Sequence, residues 1–198
     1  QLRDRVILVG FLCDNPFQYP EPTHGEGLLP HVTLHDALKD LPALSCGKES
    51  TVYAAPPDNE FLSWVRQGGS DTLTEHKAPN NSAHLRKIMA ALKDGQGKDD
   101  LPEELRPKSG FKNTYAKLWW EKPATTITRN FACPSSSRCI HPRDSRALTI
   151  REGARLQSFP DNYQFYGSDC LKRLEIGNAV PPLPSVALAA QMLKALNA

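Results

Sequence analysis

The chain has 198 residues, of which 39% are apolar and 23% are charged, and its formal net charge at pH 7 is +2. This is the size and composition of a globular protein with one domain, or a domain and a half. No apolar run is long enough to span a bilayer, and Gln1-Leu2-Arg3 shows no secretory or transit signal. We therefore expect no membrane partner and an intracellular location, in the cytoplasm or nucleoid or, in a eukaryote, the nucleus.

The charge is unevenly placed along the chain. The segment from Arg106 to Arg155 holds 11 basic residues and 3 acidic ones, a net charge of +8. With Trp119, Trp120 and Phe131 in the same stretch, it has the composition of a surface that contacts nucleic-acid phosphates. The alternative is a solvated face whose charges form salt bridges elsewhere in the fold.

The first predicted element is a strand over residues 5–12. The run Val-Ile-Leu-Val-Gly-Phe-Leu is short, apolar and partly β-branched, which favours a buried strand over a helix. Alternation along the strand puts Arg3 and Arg5 on the same face. Two adjacent guanidinium groups need an anionic or carbonyl-rich partner, or a salt bridge with Asp4 or Asp14.

Two helices are predicted in the first half of the chain. Thr33 and Asp36 can cap a helix that ends before Pro42. A second, from Ser82 to Lys93, has one apolar face, a cap at position 81 or 82, and Gly95 after its end. Residues 61–65 fit either a helical turn or a strand. The stripe predicted for the first helix is Leu34, Ala37, Leu38 and Leu41.

Residues 115–130 alternate as a strand, pause at Pro123 and resume, which is typical of an ordinary β-hairpin with a polar face. Residues 131–142 read as a Ser-rich loop. Thr149 and Glu152 have the spacing of a capping box, so a short helix is predicted before Pro160. Gly177 to Pro182 reads as a rigid turn, because it begins with a residue that tolerates positive φ and ends with two prolines.

A last helix is predicted over residues 183–196, with an apolar stripe that should pack on a sheet. The five cysteines include no C-x-x-C pair and no histidine at ligand spacing, so reduced thiols and no metal are expected. Cys133 and Cys139 are the only close pair, and His141 reads as a loop residue beside Pro142.

Three of these segments resemble motifs of the DNA (cytosine-5) methyltransferases, in the order and separation of that family. Gln1-Leu2-Arg3-Asp4-Arg5 resembles the QxRxR motif, and the apolar run after it resembles the strand that follows that motif. Residues 151–161, which include RE, ARLQ and FPD, and residues 177–181, GNAVP, resemble the last two motifs.

The resemblance implies an α/β fold: the C-terminal part of a Rossmann-like S-adenosylmethionine-dependent methyltransferase plus a small irregular α+β target-recognition domain. Residues 1–13 would be the last inner strand of the catalytic domain. Residues 14–140 would form the target-recognition, DNA-binding domain. Residues 141–198 would return to the catalytic and cofactor domain. We expect the chain to be a C-terminal half, because the cofactor glycines and the Pro-Cys nucleophile of the family are missing from it.

The implied reaction is transfer of a methyl group from S-adenosylmethionine to C5 of a cytosine flipped out of double-stranded DNA, as in restriction-modification systems. A cysteine thiolate adds to C6, C5 is methylated, and β-elimination releases the enzyme. None of the five cysteines follows a proline, so this thiolate would lie in the missing N-terminal half or in a second chain. The chain alone is expected to be inactive.

The resemblance also implies roles for individual residues. Arg5 would hold O2 of the flipped cytosine, while Arg3 and Gln1 shape its pocket. Arg151 and Glu152 would tie the small domain to the large one. The residues implied at the cofactor are Asn178, Ala179, Val180 and, more weakly, Phe159. The residues implied at the DNA are Thr125, Thr126, Arg129, Lys122 and Arg138.

Three alternatives remain at this point. The chain could be a non-catalytic DNA-specificity subunit of a split methyltransferase, which a separate chain with the nucleophile would complete. It could be an inactive relic. The shared motifs also fit a relative that modifies tRNA, where recognition depends on loops and 2′-hydroxyl groups.

Overall fold

The computed structural model describes residues 1–12, 16–69, 71–108 and 110–197. Its α-helices are α1 (Leu34–Leu38), α2 (Glu60–Arg66), α3 (Ala83–Ala91), α4 (Ile150–Leu156), α5 (Asp169–Asn178) and α6 (Pro182–Leu196). Two short 3₁₀ helices span Lys98–Asp100 and Glu103–Leu105. Strands β1 (Ala116–Lys117) and β2 (Arg138–Ile140) pair in parallel. The fold is thus α/β only in the broad sense, with long irregular connections between the elements.

The predicted helix caps are confirmed. Thr33 and Asp36 form a reciprocal capping box at α1, and Ser82 caps α3. The predicted α1 stripe is core, since each of its four residues is at most 8% exposed. The segment 61–65 is resolved in favour of a helix, α2, which Asn59 caps through its side chain. Local sequence signals therefore sufficed for α1 and α3, but they left α2 undecided and did not predict α5, although Ser168 caps that helix through its side chain.

The main core packs α1 and α4 together with the loops around Trp120, Ile127 and Phe131. A smaller apolar cluster joins α3 to β2 through Met89 and Ile140. Because β1 and β2 pair in parallel, the predicted hairpin over residues 115–130 is wrong. The partner of Ala116 is Arg138, which lies in the segment predicted to be a loop.

The predicted buried strand over residues 5–12 is also not met. Val6 and Leu8 are 89% exposed, and no residue in the described part of this segment is in a strand. A strand needs neighbouring strands for its backbone hydrogen bonds, and the described residues offer it none. The end of the predicted catalytic strand at Cys13, and Asp14 as an alternative partner for Arg5, lie outside the described residues.

Helix α6 is present as predicted, and several of its apolar side chains are exposed. Val186, Leu193 and Leu196 are each more than half exposed, and Ala195 is the one buried residue of the helix. Within the described ranges, none of the helices combines the length and apolar content that a bilayer crossing needs.

Gly177 is not part of the predicted turn but lies in α5, with the turn starting only at Ala179. Its role is therefore not a positive φ. A Cβ at this position would stand 2.2 Å from the backbone nitrogen of Arg129 and 2.5 Å from the carbonyl carbon of Thr128. Backbone atoms cannot yield as a flexible side chain does, so only glycine allows α5 to touch residues 128–129.

Candidate functional site

Helix α4 is the centre of the site, and every one of its seven residues is buried. Thr149 and Glu152 form the predicted capping box at its start. The Glu152 carboxylate also accepts two hydrogen bonds from Arg146, at 2.7 and 2.8 Å. Burial alone would raise the pKa of Glu152, but the Arg146 guanidinium beside it lowers that pKa well below its ordinary value. The pair is therefore ionised inside the protein.

The two arginines of α4 reach different segments of the chain. Arg151 donates to the backbone carbonyl of Thr74 at 3.0 Å and to its hydroxyl at 2.9 Å. Arg155 contacts the carboxylates of both Asp40 and Asp161, and it is fully buried. Burial lowers the pKa of Arg155, but these carboxylates raise it by more, so it stays charged. Both side chains tie segments of the chain together, and Arg155 also borders the open cavity described below.

The first motif lies against the last one, residues 177–181, through hydrogen bonds to its backbone. Arg3 donates to the carbonyl of Gly177 at 2.8 Å and to that of Ile127 at 3.3 Å. Arg5 donates to the carbonyl of Ala179 at 2.8 Å. The sequence left a carbonyl-rich partner and a salt bridge as alternatives for this arginine pair, and the structure has the carbonyls.

Gln1 is bound on both sides of its amide. Its Oε1 accepts from the Ile127 N–H at 2.7 Å, and its Nε2 donates to the Gln157 side chain. The backbone of Leu2 is held as well, since its N–H donates to Ala124 and its carbonyl accepts from the Thr126 hydroxyl. The N-terminal segment is thus anchored over its first five residues and exposed beyond them.

An open cavity of about 770 Å³ runs along this junction. Its lining includes all three side chains of the first motif, together with residues from the end of α4 and the start of α6. Residues that line it are Gln1, Arg3, Arg5, Ser158, Val180 and Leu183. A cationic end and an apolar wall are the two components of a site for a polar, flat ligand.

Ser158 shapes the cavity at the end of α4. Its backbone is left-handed, with φ of 61°, which a non-glycine residue adopts only when its surroundings hold it there. Its hydroxyl accepts from the Leu183 N–H at 3.1 Å, and its carbonyl accepts from the Trp64 indole at 3.1 Å. The residue joins the start of α6 to the end of α4.

The residues implied at the cofactor divide into two groups. Asn178 and Val180 are exposed and Ala179 is partly exposed, so this turn is open to a ligand. Val180 lines the cavity. Phe159 is only 7% exposed and packs edge-on against Phe165, with ring centroids 5.2 Å apart. Its ring belongs to the core, and it does not line the cavity.

Comparison with known proteins bears on this arrangement. The model of the C-5 cytosine-specific DNA methylase family matches residues 1–194. The chain belongs to the C-5 cytosine-specific DNA methylase family.

Individual relatives agree with the family. Type II methyltransferase M1.HphI of Haemophilus parahaemolyticus is 32% identical over 194 residues, covering 98% of this chain and 44% of the relative. Type II methyltransferase M.DdeI of Desulfomicrobium norvegicum is 33% identical, covering 96% of this chain and 50% of the relative. DNA (cytosine-5)-methyltransferase 4 of Arabidopsis thaliana is 32% identical over 190 residues, covering 83% and 12%.

The fold also has a solved counterpart, a DNA modification methyltransferase encoded within an Escherichia coli prophage. The TM-score is 0.63 at 21% identity, over 86% of this chain and 49% of that one. The chain thus spans about half the length of these bacterial relatives.

The side chains implied at the DNA fall into two places on the chain. Arg138 stacks over the Trp119 ring at 4.0 Å and donates to the Gly95 carbonyl at 2.9 Å, and Lys122 lies 5.4 Å from the same ring. Arg138 is therefore used within the fold. Thr125, Thr126 and Arg129 lie instead near the first motif. Thr125 is partly exposed, Thr126 and Arg129 are exposed, and Arg129 sits where the chain touches Gly177.

The basic segment is less of a surface than its composition predicts. Arg146, Arg151 and Arg155 are fully buried and paired with carboxylates, so they belong neither to a phosphate-contacting surface nor to the solvated face that was the alternative. Lys117 is 4% exposed and donates to the Pro142 carbonyl and the Ser145 hydroxyl, and burial lowers its pKa. The exposed cations that remain are Arg106, Lys108, Lys112, Lys122, Arg129 and Arg143.

Cys46, Cys133, Cys139 and Cys170 are free thiols. Within the described ranges, no group of three or more His, Cys, Asp or Glu side chains is placed to hold a metal ion. His141, predicted to be a loop residue, is 5% exposed, and its Nδ1 accepts from the backbone N–H of Asp144 at 3.0 Å.

Sequence reasoning missed two residues of this site. Asp40, which pairs with Arg155, lies 115 positions away in the sequence and shows no local signal. Gln157, fully buried at the end of α4, was visible as part of ARLQ but had no assigned partner. Both act through contacts between distant segments, which neither spacing nor periodicity reveals.

Proposed function

We propose that this chain is the C-terminal part of a DNA (cytosine-5) methyltransferase that acts on a cytosine flipped out of double-stranded DNA. The observation that carries the proposal is the pair of arginine contacts, Arg3 to Gly177 and Arg5 to Ala179. They place the first motif directly on the third, beside one open cavity. The match of the family model to residues 1–194 supports the same reading.

Arg5 would recognise the base. A guanidinium has five N–H donors, and the bond to Ala179 leaves others for O2 of a cytosine. It remains cationic at any physiological pH, so it can also stabilise the negative charge that develops on the ring during attack at C6. Arg3 and Gln1 would shape the pocket from behind, because both are bound to backbone groups.

The turn after α5 fits one wall of a cofactor site. The exposed amide of Asn178 can hydrogen-bond a polar group, and Val180 offers an apolar surface at the cavity. S-adenosylmethionine, when bound there, supplies the methyl group. Arg151 and Glu152 would act only by tying segments together. Thr125, Thr126, Arg129 and Lys122 remain our candidates for DNA contact, with Arg138 holding Trp119 in place.

The exposed faces of α6 and of residues 6–12 would pack on the N-terminal catalytic half of the enzyme, which would carry the nucleophilic cysteine. The chain covers 44% and 50% of two bacterial relatives, so each of those relatives has a region of similar size outside the match that could cover such faces. Their apolar side chains, including Val6, Leu8 and Val186, suit a permanent interface.

The experiment is methyl transfer from labelled S-adenosylmethionine by the complete enzyme, with duplex DNA and tRNA as competing substrates at fixed salt. Labelled duplex DNA is the expected result. Label in tRNA alone, or in neither, would overturn the proposal. Methyl transfer by this chain without the catalytic half would contradict the proposal that the nucleophilic cysteine lies in that half.

Arg5 is tested with two variants. Arg5→Ala should lower the methyl-transfer rate on the order of a hundredfold, as loss of one oxyanion-stabilising donor does, with little change in DNA affinity. Arg5→Lys keeps the charge but loses the planar fork, so it should resemble Arg5→Ala. If Arg5→Lys is fully active, or if DNA affinity falls in parallel with the rate, Arg5 contacts a phosphate and not a base.

A further inference from the structure

The side chain of Gln157 links its own motif to the first motif and to the residue just before the last one. It is fully buried at the end of α4, where its Nε2 donates to the Ile176 carbonyl at 2.8 Å and reaches the Ile127 carbonyl at 3.5 Å. Its Oε1 accepts from the Gln1 amide. One side chain thus contacts the first motif, the residue before Gly177, and the segment that follows the predicted DNA-contacting threonines.

These bonds close a ring. Gln157 binds Gln1, Gln1 accepts from the Ile127 N–H at 2.7 Å, and the Ile127 carbonyl faces Gln157 again. An amide side chain is suited to this position, because it can donate to carbonyls and accept from another amide at once. A buried network whose members are all satisfied is rigid, and losing one member leaves the others unpaired.

The ring sets the geometry of the two arginines. Gln1, Arg3 and Arg5 lie two residues apart, so fixing Gln1 fixes the start of the segment that carries the other two. Arg3 shares the Ile127 carbonyl with Gln157 and holds the Gly177 carbonyl at 2.8 Å. Gln157 donates to the carbonyl of the neighbouring residue, Ile176, at 2.8 Å.

We propose that Gln157 is a positioning residue that fixes the distance between Arg5 and the turn Asn178–Val180, and so between base and methyl donor. The inference rests on the proposed function, because it assigns those two places their ligands. Gln157 borders the cavity, but it is fully buried and its amide is already bound to Gln1 and to the Ile176 carbonyl, so we assign it no contact to either ligand. Its loss would therefore loosen the alignment of the reactants without removing a contact to either of them.

The test uses Gln157→Met in the complete enzyme, because methionine keeps the volume and length but offers no N–H donor. A misalignment near 1 Å slows catalysis on the order of a hundredfold, so a fall of tenfold or more in the single-turnover methyl-transfer rate is expected. DNA affinity should stay within about threefold, since no DNA contact is lost. Gln164→Met is the matched control, because Gln164 is exposed and its Oε1 accepts only from Tyr166 among the described residues.

A second readout is independent of activity. The Ile127 N–H is bound to Gln1, so its hydrogen exchange should speed up about tenfold in Gln157→Met and stay unchanged in Gln164→Met. Gln1→Ala, which opens the ring without altering α4, should reproduce both effects, and the double variant should add little. This second variant keeps the test decisive if Gln157→Met folds poorly.

The outcomes separate the two proposals. Slower transfer with unchanged DNA affinity and faster Ile127 exchange supports the positioning role. Faster exchange with an unchanged transfer rate makes the ring purely structural and overturns it, as does unchanged exchange. If the unaltered enzyme and the Gln164→Met control both fail to methylate DNA, the proposed function falls, and the assignment of Gln157 to that reaction falls with it.

Discussion

Helices α4 and α6 differ in burial, and the difference is the opposite of what their compositions suggest. α4 carries Arg151, Glu152 and Arg155 within seven residues, and all seven are buried. α6 has fifteen residues with a single charge, Lys194, and only Ala195 is reported as buried. Charged side chains can be buried where carboxylates and carbonyls are arranged around them, and apolar ones stay exposed where nothing covers them. The charged residues of α4 are therefore buried, whereas the apolar surface of α6 is exposed.

The largest expected effect is at the buried helix α4. Arg155→Met leaves Asp40 and Asp161 buried without the guanidinium that contacts both of them. Removing one partner of a buried ion pair costs about 3–5 kcal/mol, a large part of the stability of an ordinary domain. Urea unfolding should show this loss, somewhat reduced because Arg66 lies 3.5 Å from Asp40 and Arg151 lies 3.7 Å from Asp161.

The control for this prediction is Arg86→Met, because Arg86 is exposed on α3. It should change the free energy of unfolding by no more than about 0.5 kcal/mol. Adding Asp40→Asn and Asp161→Asn to Arg155→Met should recover part of the stability, since the uncompensated charges disappear. No recovery would show that Arg155 matters through packing and not through charge.

The buried groups at and near α4 should also make the free energy of unfolding depend on pH. The folded-state pKa of Glu152 lies below its ordinary value of 4.5, because Arg146 outweighs burial. Its ionised form therefore contributes stability above about pH 4.5, which is lost as the pH falls through the folded-state pKa. Burial also lowers the pKa of His141 from 6.5, so its contribution begins to be lost below about pH 6.5.

Unfolding free energies measured from pH 7 down to pH 3 would test this. One titrating group changes stability by at most about 1.4 kcal/mol per pH unit. Glu152→Gln should be less stable at pH 7 and show a flatter profile below pH 4.5. Glu103→Gln, at an exposed site, should keep the slope of the unaltered protein. An equal slope in both variants would place the acid sensitivity elsewhere.

The same contrast explains what the sequence could predict. Caps such as Thr149–Glu152 and stripes such as Leu34 to Leu41 depend on neighbours within one turn, so they were predictable. β1 and β2 pair across some twenty residues without a turn signal, and Gly177 is required by a close approach to Arg129. The motif resemblance located Arg3 and Arg5, but their carbonyl partners depend on how distant segments meet. The exposure of Val6 and Leu8 could not be predicted either, because an apolar run alone does not show whether neighbouring segments cover it.

The smallest expected effect is at the exposed apolar surface of α6. Leu193→Gln, at a side chain 60% exposed, should leave the unfolding free energy of this chain within about 0.5 kcal/mol of the original. The matched change in α4, Leu156→Gln at 6% exposure, should cost about 2–5 kcal/mol, because it places an amide in the core. If α6 packs on a catalytic half, Leu193→Gln should instead weaken association with that half, which titration calorimetry would measure. Unchanged association would mean that α6 lies outside the interface, and the apolar side chains of residues 6–12 would then have to supply it.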